Sequence, residues 1–372
     1  MDLKEKQKLL EKMKEENKKK FGSDMLIKAS EIKETEFLQT GIPSIDMALG
    51  GGWAKGRLAS VYGELSSGKT TLLLQTIAKL FRDDENAMAL YVDQESALDK
   101  DYAKHLIGSQ NFDRLMIVEA DEAEKNLDVL RESIRQGIFD FIVLDSTNAL
   151  APQTELSKDV SSTASIGVVA KLLSVWTRQV IGPLHKTNSC LVCIEQTREK
   201  VGGMVMPGIP TPVTIGCGKA VGFYCSQRLE LKKTKVESQG SGDNEVAIST
   251  GVKFKVVKNK VAKPFVKGET SIKFGEGFDV EEDEKLFIIK SGIVERLNNV
   301  KWSYTCDDGN IIEIKGKDNI VTTLKENNVY EEALENAKKK VFENAEKDSG
   351  DSEYGIDLNK EQNLESESFD AE

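Results

Sequence analysis

The sequence predicts an α/β protein in which helices cover a central, largely parallel β-sheet. Apolar, β-prone runs alternate with helical runs between residues 41 and 275, which is the pattern of βαβ units. One strand-to-helix junction carries a glycine-rich loop at residues 63–70, and other apolar runs end in polar residues. Because ligands bind at the carboxyl ends of parallel strands, these polar residues are the first candidates for a site.

The N-terminal region, residues 1–40, is predicted to be a charged helix followed by an extended arm. Residues 2–20 contain eight lysines and five acidic residues, with leucine or methionine at only four positions. Residues 23–40 show no helical pattern and are expected to be extended. Since this region has too little apolar surface for its own core, we expect it to pack on another element. A neighbouring subunit is one candidate, which would make the region an oligomerisation arm.

Residues 41–275 are expected to form the main domain. Its strands are predicted over residues 58–62, 87–92, 115–119, 139–144 and 190–194, and its helices over residues 70–81, 99–106, 121–136 and 166–184. Cys190 and Cys193 have CxxC spacing, but they lie within an apolar run, so a buried strand is favoured over a redox or zinc pair. Residues 152–165 and 198–218 are expected to be loops, and loops of this length are usually functional or disordered.

The C-terminal part is predicted to contain a small domain and a tail. Residues 276–342 have the pattern of a small, charged α/β domain that ends in a helix over residues 330–342. Residues 343–372 hold eleven acidic residues and two lysines, which is −9 of the net charge of −11. This composition predicts a disordered tail. The tail either keeps the protein soluble or competes with DNA phosphates for the protein's basic sites.

The composition also limits the class of protein. No apolar run reaches the roughly 18 residues of a membrane span, and the first twenty residues lack the pattern of a signal peptide. We therefore expect a cytoplasmic protein with no membrane partner. Five cysteines without framework spacing suit a reducing compartment. The two histidines have no neighbouring metal ligands in the sequence, so no transition-metal site is expected.

The loop at residues 63–70 matches the phosphate-binding pattern GxxxxGK[ST], and it has the strand and helix that this pattern requires on either side. Backbone N–H groups and the helix N-terminus would surround a phosphate, Lys69 would add positive charge, and Thr70 would offer a hydroxyl to Mg²⁺. The sequence therefore predicts a nucleotide site with ATP and Mg²⁺ as cofactors. The loop consists of Gly63, Glu64, Leu65, Ser66, Ser67, Gly68, Lys69 and Thr70.

Two carboxylates at strand ends extend this site. Asp145 follows four apolar residues, the form of a Walker B strand, and would hold the hydration shell of Mg²⁺ together with Thr70. Glu95 follows the predicted strand at 87–92 and is the natural group to activate water for phosphoanhydride hydrolysis. A helix-capping role is the alternative for Glu95.

Several strings occur in the same order and spacing as in the RecA recombinases, and the chain resembles that family over residues 7–340. The strings are the loop at 63–70, Asp93-Gln-Glu-Ser-Ala-Leu-Asp99 with Tyr102, Leu144-Asp-Ser146, Glu195-Gln-Thr-Arg198, and Val256-Val-Lys-Asn-Lys260 with Pro264-Phe265. The resemblance implies a RecA-like P-loop ATPase core and an ATP-dependent recombinase that forms a helical filament on single-stranded DNA. It also implies exchange of strands with double-stranded DNA in recombination and repair, with loader or single-strand-binding proteins as further partners.

By matched position, the resemblance assigns residues to hydrolysis. Lys69 would bind phosphate, Glu95 would activate water, and Gln196 would sense the γ-phosphate and pass that state to the loop that follows it. Lys258 and Lys260 would reach across the subunit interface to the phosphates of the neighbour's ATP, as arginine fingers do elsewhere.

The resemblance also assigns binding residues. Asp99 and Tyr102 would contact the adenine, and Thr71, Asp145 and Phe274 would complete the cofactor-binding set. DNA would be contacted by two loops near residues 156–166 and 199–217 and by the helix after the first loop. The DNA-binding set is Ile166, Lys171, Arg178, Arg198, Lys200, Gly202, Gly203, Met204, Val205, Gly216, Gly218 and Lys219.

One string departs from the family pattern. RecA proteins usually carry Gly-Gly-Asn-Ala-Leu-Lys-Phe after the second loop, whereas residues 217–223 read Cys-Gly-Lys-Ala-Val-Gly-Phe. Gly222 replaces the usual lysine, although Lys219 is nearby. Two other functions therefore stay open: an accessory protein that binds ATP and DNA but hydrolyses little, and a RadA-like DNA remodeller on the same core. A remodeller would be expected to carry an extra zinc-finger or protease-like region.

Overall fold

The computed structural model describes residues 1–22, 26–159, 167–199, 213–215, 219–240 and 245–347, and it divides into two compact units. The first unit is Met1–Glu36. It contains helix α1 (Leu3–Phe21) and one 3-10 turn at Ala29–Glu31. The side chain of Asp2 caps α1 at its start, and Gly22 ends it with a φ of 74°. No residue of α1 is buried, so this helix contributes nothing to a hydrophobic core.

The second unit, Phe37–Glu372, holds the other described elements. Its strands are β1 (Phe37–Leu38), β2 (Trp53–Ala54), β3 (Leu58–Gly63), β4 (Ala89–Asp93), β5 (Leu115–Val118), β6 (Phe141–Asp145), β7 (Cys190–Glu199), β8 (Val213–Ile215), β9 (Gln227–Gln239), β10 (Val246–Asn259), β11 (Lys267–Lys273), β12 (Gly277–Phe278), β13 (Val294–Arg296), β14 (Lys301–Thr305) and β15 (Ile311–Lys315). Its helices are α2 (Pro43–Leu49), α3 (Lys69–Asp83), α4 (Lys100–Ile107), α5 (Ala123–Gln136), α6 (Gln153–Leu156), α7 (Val168–Thr187), α8 (Ala220–Tyr224), α9 (Val280–Ser291), α10 (Ile320–Glu326) and α11 (Tyr330–Lys347).

The main sheet has the order β12-β11-β10-β9-β3-β7-β6-β4-β5, and β8 pairs with β7. The strands from β9 to β5 in this order run parallel, whereas β9 to β12 pair antiparallel and extend one edge. The predicted α/β class with a largely parallel central sheet is confirmed. The predicted elements differ from the observed ones by a few residues at their ends.

Two hydrophobic clusters cover the two faces of this sheet. Phe141 and Val143 of β6 belong to one cluster, and Ile142 and Leu144 to the other, so this strand is buried on both sides. Cys190 and Cys193 of β7 likewise lie in different clusters as free thiols. The prediction of a buried strand at this CxxC spacing is confirmed.

A third cluster lies among α9, α10, α11 and the separate sheet β13-β14-β15. It is joined to the main domain through Asp283 of α9, whose buried carboxylate accepts hydrogen bonds from the backbone N–H and Oγ of Ser44 at the start of α2. The domain boundaries that the sequence suggested stay predictions.

The segments expected to be loops contain two short elements. Helix α6 lies within residues 152–165, and strand β8 lies within residues 198–218. The prediction of a disordered tail from residue 343 is wrong for residues 343–347, which continue helix α11, and the rest of the predicted tail lies outside the described residues. Among the described helices, none is both long and apolar enough to cross a membrane.

Candidate nucleotide-binding site

The phosphate-binding loop joins β3 to α3 near the middle of the sheet. Two of its glycines are required by close contacts. Gly68 has a φ of 89°, and a Cβ there would lie 2.3 Å from Cδ1 of Ile272. A Cβ at Gly63 would lie 2.1 Å from the carbonyl oxygen of Leu231. The loop backbone therefore packs directly on its neighbours, and the N–H groups at the start of a 15-residue helix form an anion-binding end.

Lys69 is the first residue of α3, and it is only 7% exposed. Its Nζ donates hydrogen bonds to the carbonyl oxygens of Gly63 at 3.2 Å and Glu64 at 2.6 Å, and to Oγ of Ser67 at 3.4 Å. Burial lowers the pKa of Lys69, and the nearby carboxylate of Asp145 opposes this shift. The loop thus holds a partly desolvated ammonium group where phosphates are predicted to bind.

Thr70 and Asp145 meet at the carboxyl end of β6. The Oγ1 of Thr70 donates to Oδ2 of Asp145 at 2.8 Å, and Oη of Tyr91 donates to the same oxygen at 2.5 Å. Burial raises the pKa of Asp145, and these two hydrogen bonds lower it. Tyr91 is a residue that the sequence reasoning missed. The available signal was a tyrosine in a buried strand, because a buried phenol usually finds a hydrogen-bond partner.

Glu95 and Gln196 are in direct contact although they follow different strands. Oε1 of Glu95 accepts hydrogen bonds from Nε2 of Gln196 and from Oγ of Ser146, each at 2.5 Å. Asp93 shapes the loop that carries Glu95, since its Oδ1 accepts from the backbone N–H of Glu95. Asn148, which the sequence reasoning also missed, accepts from the backbone N–H of Gln196 at 2.8 Å. The structure therefore groups the ends of β4, β6 and β7 into one polar site.

Tyr102, one of the two residues expected near the adenine, contacts the first turn of α3. Oη of Tyr102 donates to Oγ1 of Thr71 at 3.2 Å. Asp99 caps α4 by accepting from the backbone N–H of Tyr102, so the helix-capping role considered for Glu95 belongs to Asp99. Phe274 lies between β11 and β12 and is 47% exposed. This turn is close to α3, because the backbone N–H of Phe278 donates to Oε1 of Gln75.

The donor set suits a magnesium ion that is bound mainly through a nucleotide. In the described parts of the chain, no group of three or more His, Cys, Asp or Glu residues could hold a metal ion by itself. Mg²⁺ in such sites is held by one or two protein oxygens, several waters and substrate phosphates. Thr70 and Asp145 supply that limited set beside the anion-binding end of α3.

Most of the predicted DNA contacts lie outside the described residues. These are Ile166, Lys200, Gly202, Gly203, Met204, Val205, Gly216 and Gly218, and the side chain of Arg198 is also not described. Lys171 and Arg178 are exposed on α7, and Lys219 is exposed immediately before α8. The backbones of Glu199 and Val213 pair where β7 meets β8.

Lys258 is the last residue but one of β10, and Lys260 follows the end of that strand. Nζ of Lys258 donates to the carbonyl oxygens of Gly222 at 2.9 Å and Phe223 at 2.7 Å. Burial lowers the pKa of Lys258. The side chain of Lys260 is exposed.

Comparisons with known proteins agree on one family. A family model described as the RecA N-terminal domain matches residues 8–279. The chain is 39% identical over 334 residues to protein RecA of Sulfurovum sp. (strain NBC37-1), which covers 89% of this chain and 91% of that protein. It is 38% identical over 282 residues to protein RecA of Lactococcus lactis subsp. cremoris (strain MG1363), which covers 75% of this chain and 70% of that protein. It is 36% identical over 350 residues to protein RecA of Borrelia duttonii (strain Ly), covering 92% of each.

Proposed function

This chain belongs to the RecA family of DNA recombinases, and from that premise we propose that its strand-end site binds ATP with Mg²⁺ and hydrolyses it during DNA strand exchange. Recombinase function and DNA-dependent ATPase activity follow from the family, as do nucleotide binding, DNA binding and assembly into filaments. The observation that carries the proposed site is the grouping of Thr70 with Asp145 and of Glu95 with Gln196.

In the proposed mechanism, the loop N–H groups and Lys69 would bind the phosphates, and Thr70 and Asp145 would hold Mg²⁺. When bound, Mg²⁺ neutralises the charge that develops on the phosphate oxygens. Glu95 accepts a proton from the attacking water. Both observed donors contact Oε1 of Glu95, so we assign the proton-accepting role to Oε2.

Gln196 links this chemistry to DNA. Its amide donates to Glu95 in the structure, and the same amide could instead donate to a γ-phosphate oxygen. Such an exchange would release Glu95 and would displace the end of β7, from which the second DNA loop continues. Lys258 and Lys260 are proposed to act on the ATP of the neighbouring subunit. Hydrolysis would then depend on assembly.

The test is ATP hydrolysis by the full chain with and without long single-stranded DNA. We expect strong stimulation by DNA, and we expect Lys69→Ala to abolish turnover because no other side chain of residues 63–70 carries a positive charge. Lys79→Ala is the matched control on the same helix, since that lysine forms only a partly exposed ion pair with Asp83. Retained DNA-stimulated turnover in Lys69→Ala would refute the assigned site. High turnover without DNA would favour a remodeller, and DNA binding without turnover would favour an accessory protein.

A further inference from the structure

An ion pair between a buried carboxylate and a half-buried arginine lies next to the proposed γ-phosphate sensor. Glu195, the residue before Gln196, is 1% exposed, and its Oε2 accepts a hydrogen bond from Nη2 of Arg228 at 3.1 Å. Burial raises the pKa of Glu195, and the charge of Arg228 opposes this. Removing a carboxylate from water is costly, and its partner Arg228 is still 20% exposed, so this pair is weak evidence for a purely stabilising role. This pair therefore calls for a functional explanation.

The pair spans the central strand of the sheet. Glu195 on β7 and Arg228 on β9 lie on either side of β3, and the register places them beside Tyr62 and Ser60. The guanidinium carbon of Arg228 lies 4.6 Å from the centre of the Tyr62 ring. A planar guanidinium that stacks on a ring and donates to a carboxylate has a fixed orientation, which a lysine ammonium would not reproduce.

Arg228 also occupies the space under α8. A Cβ at Gly222 would lie 2.5 Å from Nη1 of Arg228, so any side chain at residue 222 would displace the guanidinium. The usual RecA string has a lysine at this place. In this chain, Nη1 of Arg228 lies against this position of α8.

Lys258 contacts the same part of α8 as Arg228 does. It is the cross-strand partner of Arg228 in the β9–β10 pair, and its Nζ donates to the carbonyl oxygens of Gly222 and Phe223. Helix α8 is thus in contact with both Arg228 and Lys258. It begins one residue after Lys219, directly beyond the second DNA loop.

We propose that Glu195 and Arg228 are positioning residues that hold α8 on the sheet. Through α8 they would determine the position from which Lys258 reaches the ATP of the neighbouring subunit. The inference rests on the proposed trans role of Lys258. An ammonium group has three donors, and two of those of Lys258 are engaged by α8. A shift of α8 would therefore change the position of Lys258 relative to the neighbouring subunit.

The first test is Arg228→Lys, which keeps the positive charge but removes the planar guanidinium that stacks on Tyr62 and donates to Glu195. We expect the DNA-stimulated kcat to fall about tenfold or more while the KM for ATP stays within about twofold, because the protein's own binding loop is untouched. Thermal unfolding of the variant establishes that the fold is kept. Lys253→Gln is the control, since Lys253 forms an exposed ion pair with Glu269 on the adjoining strands.

Mixed filaments locate the defect. Arg228→Lys protein mixed with Lys69→Ala protein should recover activity, because Lys69→Ala still offers intact trans lysines. With random mixing of directional interfaces, about one quarter of them would be active. Arg228→Lys mixed with the double variant Lys258→Ala/Lys260→Ala should recover none, because both proteins then lack a correctly placed lysine.

The opposite pattern would overturn the inference, because rescue by the lysine double variant alone would place the defect in the variant's own nucleotide site. The reference mixture of Lys69→Ala with Lys258→Ala/Lys260→Ala separates this from the proposed function. If that mixture shows no rescue, the trans role itself is wrong, and the inference falls with it.

A second variant disturbs the contact between Arg228 and α8 by a change in α8. Gly222→Ala introduces only a methyl group, and we expect it to reproduce the rescue pattern of Arg228→Lys by pushing the guanidinium away. Gly182→Ala on α7 is its control, since a Cβ there meets nothing within 4 Å. Failure of Gly222→Ala and Arg228→Lys to be rescued by Lys69→Ala, with the reference mixture active, would refute the positioning role.

Discussion

Tyr91→Phe tests whether the phenol of Tyr91 maintains the charge of Asp145. The two side chains are 1% and 9% exposed, and Oη donates to Oδ2 at 2.5 Å. Water cannot readily replace this donor. A hydrogen bond to a charged group contributes about 1.5–3 kcal/mol, so we expect the free energy of unfolding at neutral pH to fall by about that amount.

The pH dependence gives the sharper result. Burial already raises the pKa of Asp145 above its ordinary value of 3.8, so its ionisation lowers the free energy of unfolding as the pH rises through the folded-state pKa. The hydrogen bond from Tyr91 lowers this pKa, and its loss should raise the pKa further. The stability deficit of Tyr91→Phe should therefore be largest at neutral pH and should shrink below 3.8, where the carboxyl is protonated in the folded and unfolded states.

The assays are denaturant unfolding across pH and the pH profile of DNA-stimulated ATP hydrolysis. We expect the acid limb of kcat/KM to move to higher pH. Activity needs the charged form of Asp145, and the pKa of Asp145 would be higher in the variant. Tyr304→Phe is the matched control: its buried hydroxyl donates to Glu332 in the C-terminal cluster, far from the nucleotide site in the fold. An equal stability deficit at acid and neutral pH, together with an unmoved acid limb, would refute the reasoning.

Gly68→Ala should abolish nucleotide binding and should destabilise the fold by more than the roughly 1–2 kcal/mol of left-handed backbone strain, because the new methyl would also meet Cδ1 of Ile272 at 2.3 Å. Gly275→Ala, with a φ of 81° and open space around it, controls for backbone strain alone in the same binding and unfolding assays, and an equal loss there would contradict the steric explanation. Asp46→Asn should remove a loss of stability that occurs as the pH rises toward neutrality, since burial raises the pKa of Asp46 to about 7. Above that pH the free energy of unfolding should rise by at most about 4 kcal/mol, the linkage value for a pKa raised from 3.8 to about 7. The asparagine oxygen can still accept from the backbone N–H of Thr40, so this hydrogen bond is kept. Coinciding pH-dependent unfolding curves for the two proteins would exclude the effect.

Patterns of local sequence predicted the parallel part of the sheet because its strands are buried on both faces. The run ending at Asp145 is apolar throughout, and the structure shows why, since alternate residues enter different hydrophobic clusters. The antiparallel edge was not predicted strand by strand. Lys232, Lys233 and Lys235 of β9 are all exposed, so that part of the hairpin lacks the apolar run that predicts a strand.

The residues of the site were named from motifs, but their contacts were not. Glu95 and Gln196 are 101 positions apart, and nothing in either string indicates that one donates to the other. Tyr91 was missed for the same reason, since its partner follows a different strand. Arg228 lies within a lysine-rich and glutamate-rich stretch, where sequence alone predicts a surface charge.

By itself, the sequence determined the fold class, the phosphate-binding loop and the polar residues at the strand ends, because each follows from local chemistry: periodicity, glycine content and the order of apolar and polar residues. The tertiary structure alone decided which of those residues meet. The adjacency of β4, β6 and β7 groups Glu95, Ser146 and Gln196, and the position of β3 between β7 and β9 places Arg228 beside Glu195. Strand order is set by packing between distant segments, and that packing is absent from any one of them.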